Sequence, residues 1–508
     1  MSTMRLFGLA AFVGLALGRV HVVELKHRPY SPEEEVEVLS LLQTSESTAV
    51  ADGGDALGES ADLETDAESE SESKPSGRLP LVQLNSRFYG EIGIGSPPQN
   101  EEVIWDTGSD VAWVYHKECQ HCPHRMKFDP SASSSLVDRN RHFTITYGTG
   151  ATEGPSVVDK VAMGDLEVQK QIIGLAQDVD PMLERFPFSG VIGMSYPMEN
   201  EPAGFVPIFD QIMQEKALDR HTIGNLERGD DAEAGRLHPQ FSFFLSKQPS
   251  RWASYLFLGA TKEMLEADDI SWVDAERKNQ YWEVGFNGIH LKYPDGRMEQ
   301  ITDCKPCSGG SCSNAHSDWA GRCLTSIDTG HSLISGPPEF VNGFKDRVTP
   351  QDGSCASTEG MPDMVFDFAG NHLTMKPSDY LVKMAGKCVP GVRERPPRNG
   401  HDYVFGEHFL RSFYTIFDRE KDRVGFSQSS ELSEGGGLGV EHITDQYQPQ
   451  GSGGFERRQG RRRGRAHRSE RSEALQEAEE LEAQPRKTLR AAMEAVLQPG
   501  EKEDATRR

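Results

Sequence analysis

The feature that most constrains this chain is a strand-like apolar run that ends in a carboxylate, and it occurs twice. Val103-Ile104-Trp105 leads straight into Asp106-Thr107-Gly108-Ser109-Asp110, and far downstream Thr325-Ser326-Ile327 leads into Asp328-Thr329-Gly330-His331-Ser332. An ionised carboxylate directly after Ile and Trp is costly to bury unless it is hydrogen-bonded or shared. A single Asp-x-Gly is an ordinary surface turn. Two widely separated copies, each closing an apolar strand, point instead to two half-structures that present one carboxylate each to a common centre.

At 508 residues the chain exceeds one ordinary domain, which suggests two globular halves with non-globular additions. Asp and Glu outnumber Lys and Arg by 79 to 54, which argues against a nucleic-acid partner. Residues 1–18 combine an early Arg5, an apolar stretch from Leu6 to Leu17 and small residues at the end, the pattern of a secretory signal peptide. No later segment is apolar enough to span a bilayer, so no transmembrane anchor is expected. In a chain entering the secretory route, the eight cysteines are most simply disulfides.

Residues 19–77 change composition midway. Val20 to Arg28 alternates and ends basic, Glu33 to Gln43 has helical spacing, and Ala49 to Ser73 is an acidic, Ser- and Gly-rich stretch unable to fold alone. Together they read as a removable pro-segment and acidic linker, with a solubilising tail as the alternative. From Leu79 onward the pattern is that of a β-protein. Phe88 to Gly95, His142 to Tyr147, Phe188 to Pro197 and Tyr255 to Gly259 are short apolar or alternating runs punctuated by glycine, while Pro207 to Leu218 is the clearest helix. Beyond Ser427 a Gly-rich stretch, an Arg-rich run over 457–471 and an Ala/Glu/Leu-rich segment form a low-complexity tail. The expected divisions are 1–18, 19–77, two β-rich halves over 78–250 and 251–430, and the tail 431–508.

Two aspartates within hydrogen-bonding distance cannot both ionise easily, so the pair shares a proton and can hold a water between them. The ionised partner takes a proton from that water as it attacks a carbonyl, and the protonated partner donates to the carbonyl oxygen. The chemistry needs neither metal nor cofactor. Glycine after each Thr lets backbone N–H groups approach the carboxylates, and Ser109 offers a further donor. No Gly-x-Ser-x-Gly elbow supports a serine hydrolase. The pairs Cys119-x-x-Cys122 and Cys304-x-x-Cys307 have zinc-ligand spacing, but no nearby second pair completes a ligand set. Paired carboxylates also serve glycosidases, which gives no reason for a repeated Asp-Thr-Gly turn.

Over residues 84–427 these motifs resemble the pepsin-like aspartic peptidases. Tyr89 to Gln99 is similar to the family's opening strand, Asp106-Thr107-Gly108-Ser109 and Asp328-Thr329-Gly330 to its two catalytic loops, and Tyr147-Gly148-Thr149-Gly150 to its flap. Trp113 matches the tryptophan that holds the flap tyrosine. Val191-Ile192-Gly193 and Val404-Phe405-Gly406 match the segments threaded beside each loop, and Phe409 to Phe426 the closing strands. The resemblance implies a mainly β, bilobal double β-barrel with the cleft between two lobes. It implies Asp106 and Asp328 as the catalytic pair of an endopeptidase, acting as a monomer on peptide or protein substrates in a secretory or acidic compartment. Tyr147, Gly148, Thr149, Gly108, Gly330, Ser109, His331, Ile104 and Trp113 would contact or position substrate. The pro-segment would be an intramolecular inhibitor, with Lys26 or a neighbouring base near the catalytic carboxylates.

The same resemblance implies the disulfides Cys119–Cys122 and Cys355–Cys388. For the four cysteines before the second loop, Cys304–Cys323 around Cys307–Cys312 is the simplest nesting, though four cysteines allow three pairings. His331 stands where the family usually has Thr or Ser, Asp110 where it commonly has Ser, and Glu407 where it has Asp. An imidazole at 331 could replace the usual hydroxyl and tune the nearby carboxylate, or simply substitute for one hydrogen bond. Asp110 needs a partner, with Arg411 a candidate. A second reading is therefore a pepsin-like protein of little or no activity that binds peptides through its cleft.

Overall fold

Short β-branched and aromatic runs separated by Gly-containing turns favour strands over helices, and strands dominate the computed structural model of the chain. The structure describes residues 21–29, 82–83, 86–119, 122, 126–147, 150–164, 166–180, 183, 188–198, 204–222, 238–247, 254–260, 262–276, 280–302, 304, 323–350, 352–368, 370–384, 387–395 and 403–428. The signal-like start, the acidic linker, the tail, Gly148, Thr149, Cys307 and Cys312 lie outside these residues. By contacts the chain divides into a large unit, Met1–Lys262 with Ile270–Glu431, and a small one, Glu263–Asp269 with Leu432–Arg508. Every element discussed below belongs to the large unit.

The elements that build the site are, in chain order, β1 (His21–Pro29), β2 (Ser86–Ile94), β3 (Gln99–Asp106), β4 (Ala112–Tyr115), β5 (Val137–Tyr147), β6 (Gly150–Met163) and β7 (Gly190–Gly193). They continue with α1 (Ile208–Thr222), β8 (Gln240–Phe244), β9 (Ser254–Leu258), β10 (Glu283–Phe286), β11 (Cys323–Ile327) and β12 (Ile334–Gly336). The last are α2 (Pro338–Val348), β13 (Val392–Glu394), β14 (Tyr403–Phe405), α3 (Glu407–Leu410), β15 (Phe413–Asp418) and β16 (Arg423–Gln428).

The two halves repeat one threading pattern. In the first, β7 runs parallel to β3, with Val191 opposite Ile104 and Gly193 opposite Asp106, and antiparallel to β4. In the second, β14 runs parallel to β11, with Ile327 opposite Phe405, and antiparallel to β12. Both threaded strands are buried at every residue, and a strand covered on both faces is apolar throughout, which accounts for the unbroken Val-Ile and Val-Phe runs. A further sheet joins the halves: β8 pairs with β9 and β15, and β15 with β16. The strand β1 lies across it, with His21–Leu25 on β9 and Lys26–Pro29 on β2. Val23 and Leu25 are buried in the main core with Phe88 and Trp105. Below this sheet Phe241 stacks on Phe417 at 4.9 Å and Trp282 meets both edge-on.

Among the described residues three disulfides brace loops: Cys119–Cys122, Cys304–Cys323 and Cys355–Cys388, with Cα separations of 5.6, 5.0 and 5.2 Å. Among the described residues no helix is long and apolar enough to cross a membrane.

Two buried ionisable groups, Glu101 and His408, sit on elements that adjoin the motif loops. Glu101 on β3 is 1 % exposed and its Oε2 has no hydrogen-bond partner. Burial, reinforced by the adjacent Glu102 and opposed by the Ser189 hydroxyl, raises its pKa to about 7. His408 on α3 is 4 % exposed with Nε2 unpartnered, and burial lowers its pKa to about 4. The signs are opposite. Glu101 is neutral in the fold but ionises when unfolded, so its contribution to stability is complete below 4.5 and is lost as pH rises through about 7. The contribution of His408 is complete above 6.5 and is lost as pH falls through about 4. Between about 4.5 and 6.5 the two slopes oppose and nearly cancel, so the parent's stability should vary little with pH, although each group alone is worth on the order of 3 kcal/mol across its own window. Urea unfolding across pH tests this: Glu101→Gln should uncover a stability that rises from about pH 4 to 6.5, and His408→Asn one that falls from about pH 4.5 to 7. Unchanged profiles in both variants would refute the assignment.

Candidate active site

The site begins with where β3 and β11 end. Val103 and Trp105 face the main core, while Ile104 faces a second apolar cluster with Trp113, Phe143, Phe188 and Val191, against which Tyr147 packs. The strand can therefore continue apolar up to Asp106 and stop there, its carbonyl taken by the Met194 N–H at 2.7 Å. In the other half the Asp328 N–H donates to the Phe405 carbonyl at 3.1 Å.

The two loops are tied to each other through their threonines. The Thr107 N–H donates to Thr329 Oγ1 and the Thr329 N–H to Thr107 Oγ1, both at 2.9 Å. Each hydroxyl then donates across the interface, Thr107 to the Ile327 carbonyl at 2.8 Å and Thr329 to the Trp105 carbonyl at 2.6 Å. All four groups are buried, so each bond is made where losing it leaves a desolvated polar atom.

This tie brings the carboxylates together. Asp106 Oδ1 accepts from the Gly108 N–H at 2.9 Å and Asp328 Oδ1 from the Gly330 N–H at 2.8 Å. Ser109 donates its hydroxyl to Asp106 Oδ2. The glycines cross over. A Cβ on Gly108 would lie 2.6 Å from Asp328 Cγ, and one on Gly330 2.6 Å from Asp106 Cγ. Neither loop tolerates a side chain there, because the other half's aspartate fills the space. Over the pair, Trp113 donates its indole N–H to the Tyr147 hydroxyl at 2.7 Å. Burial first, and the Asp106 charge second, push the Tyr147 phenol far above its ordinary pKa, which keeps it a neutral donor.

The departures find these places. His331 exchanges a hydrogen bond with Ser335 Oγ through Nε2 at 2.7 Å. Asp110 Oδ2 accepts from the Met198 N–H at 3.3 Å. Arg411 donates to the carbonyls of Ser246 and Lys247, each at 3.2 Å. Glu407 is buried, and its Oε1 lies 3.5 Å from the Phe88 N–H. Lys26 forms its ion pair with Glu91 at 2.7 Å, not with an aspartate of the pair. Its position opposite Tyr89 puts the side chain on the face of β2 that carries Glu91, two residues on. Gly148 and Thr149 at the hairpin tip and the proposed Cys307–Cys312 bridge fall outside the described residues. Among those residues no group of His, Cys, Asp or Glu is arranged to hold a metal.

Sequence reasoning did not single out Thr107 and Thr329 as a tie, although an identical residue between Asp and Gly in both copies was the available signal. It also passed over Tyr281, whose phenol is raised by burial and, among nearby charges, by Asp328. Replacing Thr329 with Val should orphan the Thr107 N–H and the Trp105 carbonyl, costing about 2–5 kcal/mol. Thr329→Ser should stay close to the parent in thermal and urea unfolding. Equal stability of the Val variant would show that the tie carries little.

Comparison with known proteins agrees with this geometry. The family model described as "Eukaryotic aspartyl protease" matches residues 87–429. Chicken (Gallus gallus) cathepsin D is 29% identical over 374 residues, 70% of this chain and 84% of that protein. Pig (Sus scrofa) pepsin A is 28% identical over 356 residues, 68% and 82% of the two chains. Mouse (Mus musculus) cathepsin E is 30% identical over 366 residues, again 68% and 82%. The match spans both Asp-Thr-Gly loops and both threaded strands, and this chain belongs to the eukaryotic aspartyl proteases, the pepsin family, with their mainly β, bilobal fold.

Proposed function

We propose that the protein is an aspartic endopeptidase that hydrolyses peptide bonds with a water activated between Asp106 and Asp328. The observation that carries this reading is the crossed packing of Gly108 on Asp328 and Gly330 on Asp106, which brings a buried and a half-buried carboxylate together at the end of two strands. Sharing one proton, the pair offers a base for the water and an acid for the carbonyl oxygen at once. As the water attacks, its proton passes to the ionised carboxylate while the protonated one donates to the developing oxyanion. The Gly108 and Gly330 N–H groups and the Ser109 hydroxyl hold the carboxylates in place. Tyr147, kept neutral and anchored by Trp113, is positioned to close over the substrate.

Residues 19–77 act in this reading as a pro-segment. Support comes from β1, which uses its whole length to pair with β2 and β9 and buries Val23 and Leu25. Cleavage in the acidic stretch that follows would separate inhibitor from enzyme. The signal-like start and the disulfides fit synthesis through the oxidising secretory route.

Asp106→Asn and Asp328→Asn should each lower kcat by about 10^3-fold or more while leaving the unfolding midpoint near the parent's. A statine-type inhibitor, which places a hydroxyl where the attacked water sits, should block the parent. Peptide cleavage that survives either substitution would overturn the assignment. For the pro-segment, a protein in which cutting between residues 30 and 81 is blocked should be slower than the processed form, and equal rates would rule that role out.

A further inference from the structure

Arg393 is a partly buried cation with no counter-charge among the described residues. It lies on β13, which pairs parallel with β12 so that Arg393 stands opposite Ser335. Paired residues of a parallel ladder share a face, and alternation fixes which face this is. Val392 is buried in the core, Glu394 accepts from Asn342 on α2 at 2.9 Å, and a Cβ at Gly336 would meet Phe340 and Tyr403. The opposite face carries Ser335, whose hydroxyl meets His331 of the second Asp-Thr-Gly loop at 2.7 Å, and with it Arg393. Among the described residues the Arg393 guanidinium makes no hydrogen bond or ion pair, and burial alone accounts for its lowered pKa. Two residues on, Arg395 donates its N–H to the Gly336 carbonyl at 2.8 Å. Its charge and that of Asp328 both act on the Tyr281 hydroxyl.

We propose that Arg393 is a specificity-determining residue that binds a carboxylate of the peptide substrate next to the second loop. This rests on the peptidase reading above. Partial desolvation of a guanidinium is costly without a partner, and a carboxylate returns that cost through bidentate, charge-assisted hydrogen bonds. The chain as a whole carries a net charge of -25, which repels acidic peptides at long range. A local cation is what allows one acidic position to be favoured. The carboxylate is that of an Asp or Glu side chain or of the substrate's own C-terminus.

The test uses the full chain after removal of its pro-segment and a peptide series with Glu, Gln or Lys placed at each position around the scissile bond, each peptide made amidated and with a free C-terminus. The readout is the Glu-to-Gln ratio of kcat/KM within one protein, so a general loss of activity cancels. At one position the parent should prefer Glu by about 10-fold, equivalent to ~1.4 kcal/mol. Arg393→Gln should abolish that preference, and Arg393→Glu should replace it with a preference for Lys over Gln. If only the free-terminus peptides show the effect, the ligand is the C-terminal carboxylate. Should the variants fail to fold, the parent alone still decides: its preference must fade as pH drops below about 4.3, where the substrate Glu protonates, and as salt rises. A preference that survives Arg393→Gln, or neutral peptides cleaved with no acidic preference anywhere, overturns the proposal. If the parent cleaves no peptide, the peptidase reading itself fails.

Discussion

Everything at the centre of this protein depends on four buried hydrogen bonds between Thr107 and Thr329 and the strands they cross to. Each threonine gives its backbone N–H to the other's hydroxyl and its hydroxyl to a carbonyl of the other half. Neither set can form alone, because every acceptor belongs to the opposite loop. The sheet that joins the halves through β8, β9 and β15 brings the loops near each other. The threonines then convert nearness into a fixed geometry, and a site held by desolvated hydrogen bonds keeps its carboxylates aligned without help from a ligand.

The framework has approximate twofold repetition, but the side chains placed on it differ. Beside Asp106 stand Ser109, Asp110 and the Trp113–Tyr147 pair. Beside Asp328 stand His331, Ser335 and the arginine-bearing strand β13. Two like carboxylates are thus given unlike surroundings, the condition under which one can serve as acid and the other as base. The buried Glu101 and His408 repeat that asymmetry one layer further in. An acid held protonated sits on the strand that leads into the first loop and a base held neutral on the helix beside the second, so neither adds a charge to the frame at mildly acidic pH.

Much of this was legible in the sequence, because the informative patterns were local. The apolar runs ending in Asp106 and Asp328, the segments Val191-Ile192-Gly193 and Val404-Phe405-Gly406, and the helix near Pro207 each declare themselves within a few residues. The pairing of Trp113 with Tyr147 was reached through resemblance and is present as a 2.7 Å hydrogen bond. What stayed hidden depends on register between distant strands. Lys26 met Glu91 because of where β1 docks on β2, which no local pattern encodes. Glu101 and Glu102 are consecutive on β3 and so face opposite ways, but alternation alone could not say which of the two is buried. Arg393 reads in sequence as one of several charges in Arg393-Glu394-Arg395, and only its position opposite Ser335 separates it from its neighbours.

The crossed glycines carry a consequence for heredity. Gly108 is required by Asp328 and Gly330 by Asp106, so each half holds an empty space whose owner is encoded elsewhere in the chain. A change at one glycine is read out as damage to the other half's aspartate, and repairing the loop locally cannot restore it. The two copies of the motif are therefore bound to persist or decay together, and neither half of the gene can drift, be exchanged or be inherited as a module without the other's consent.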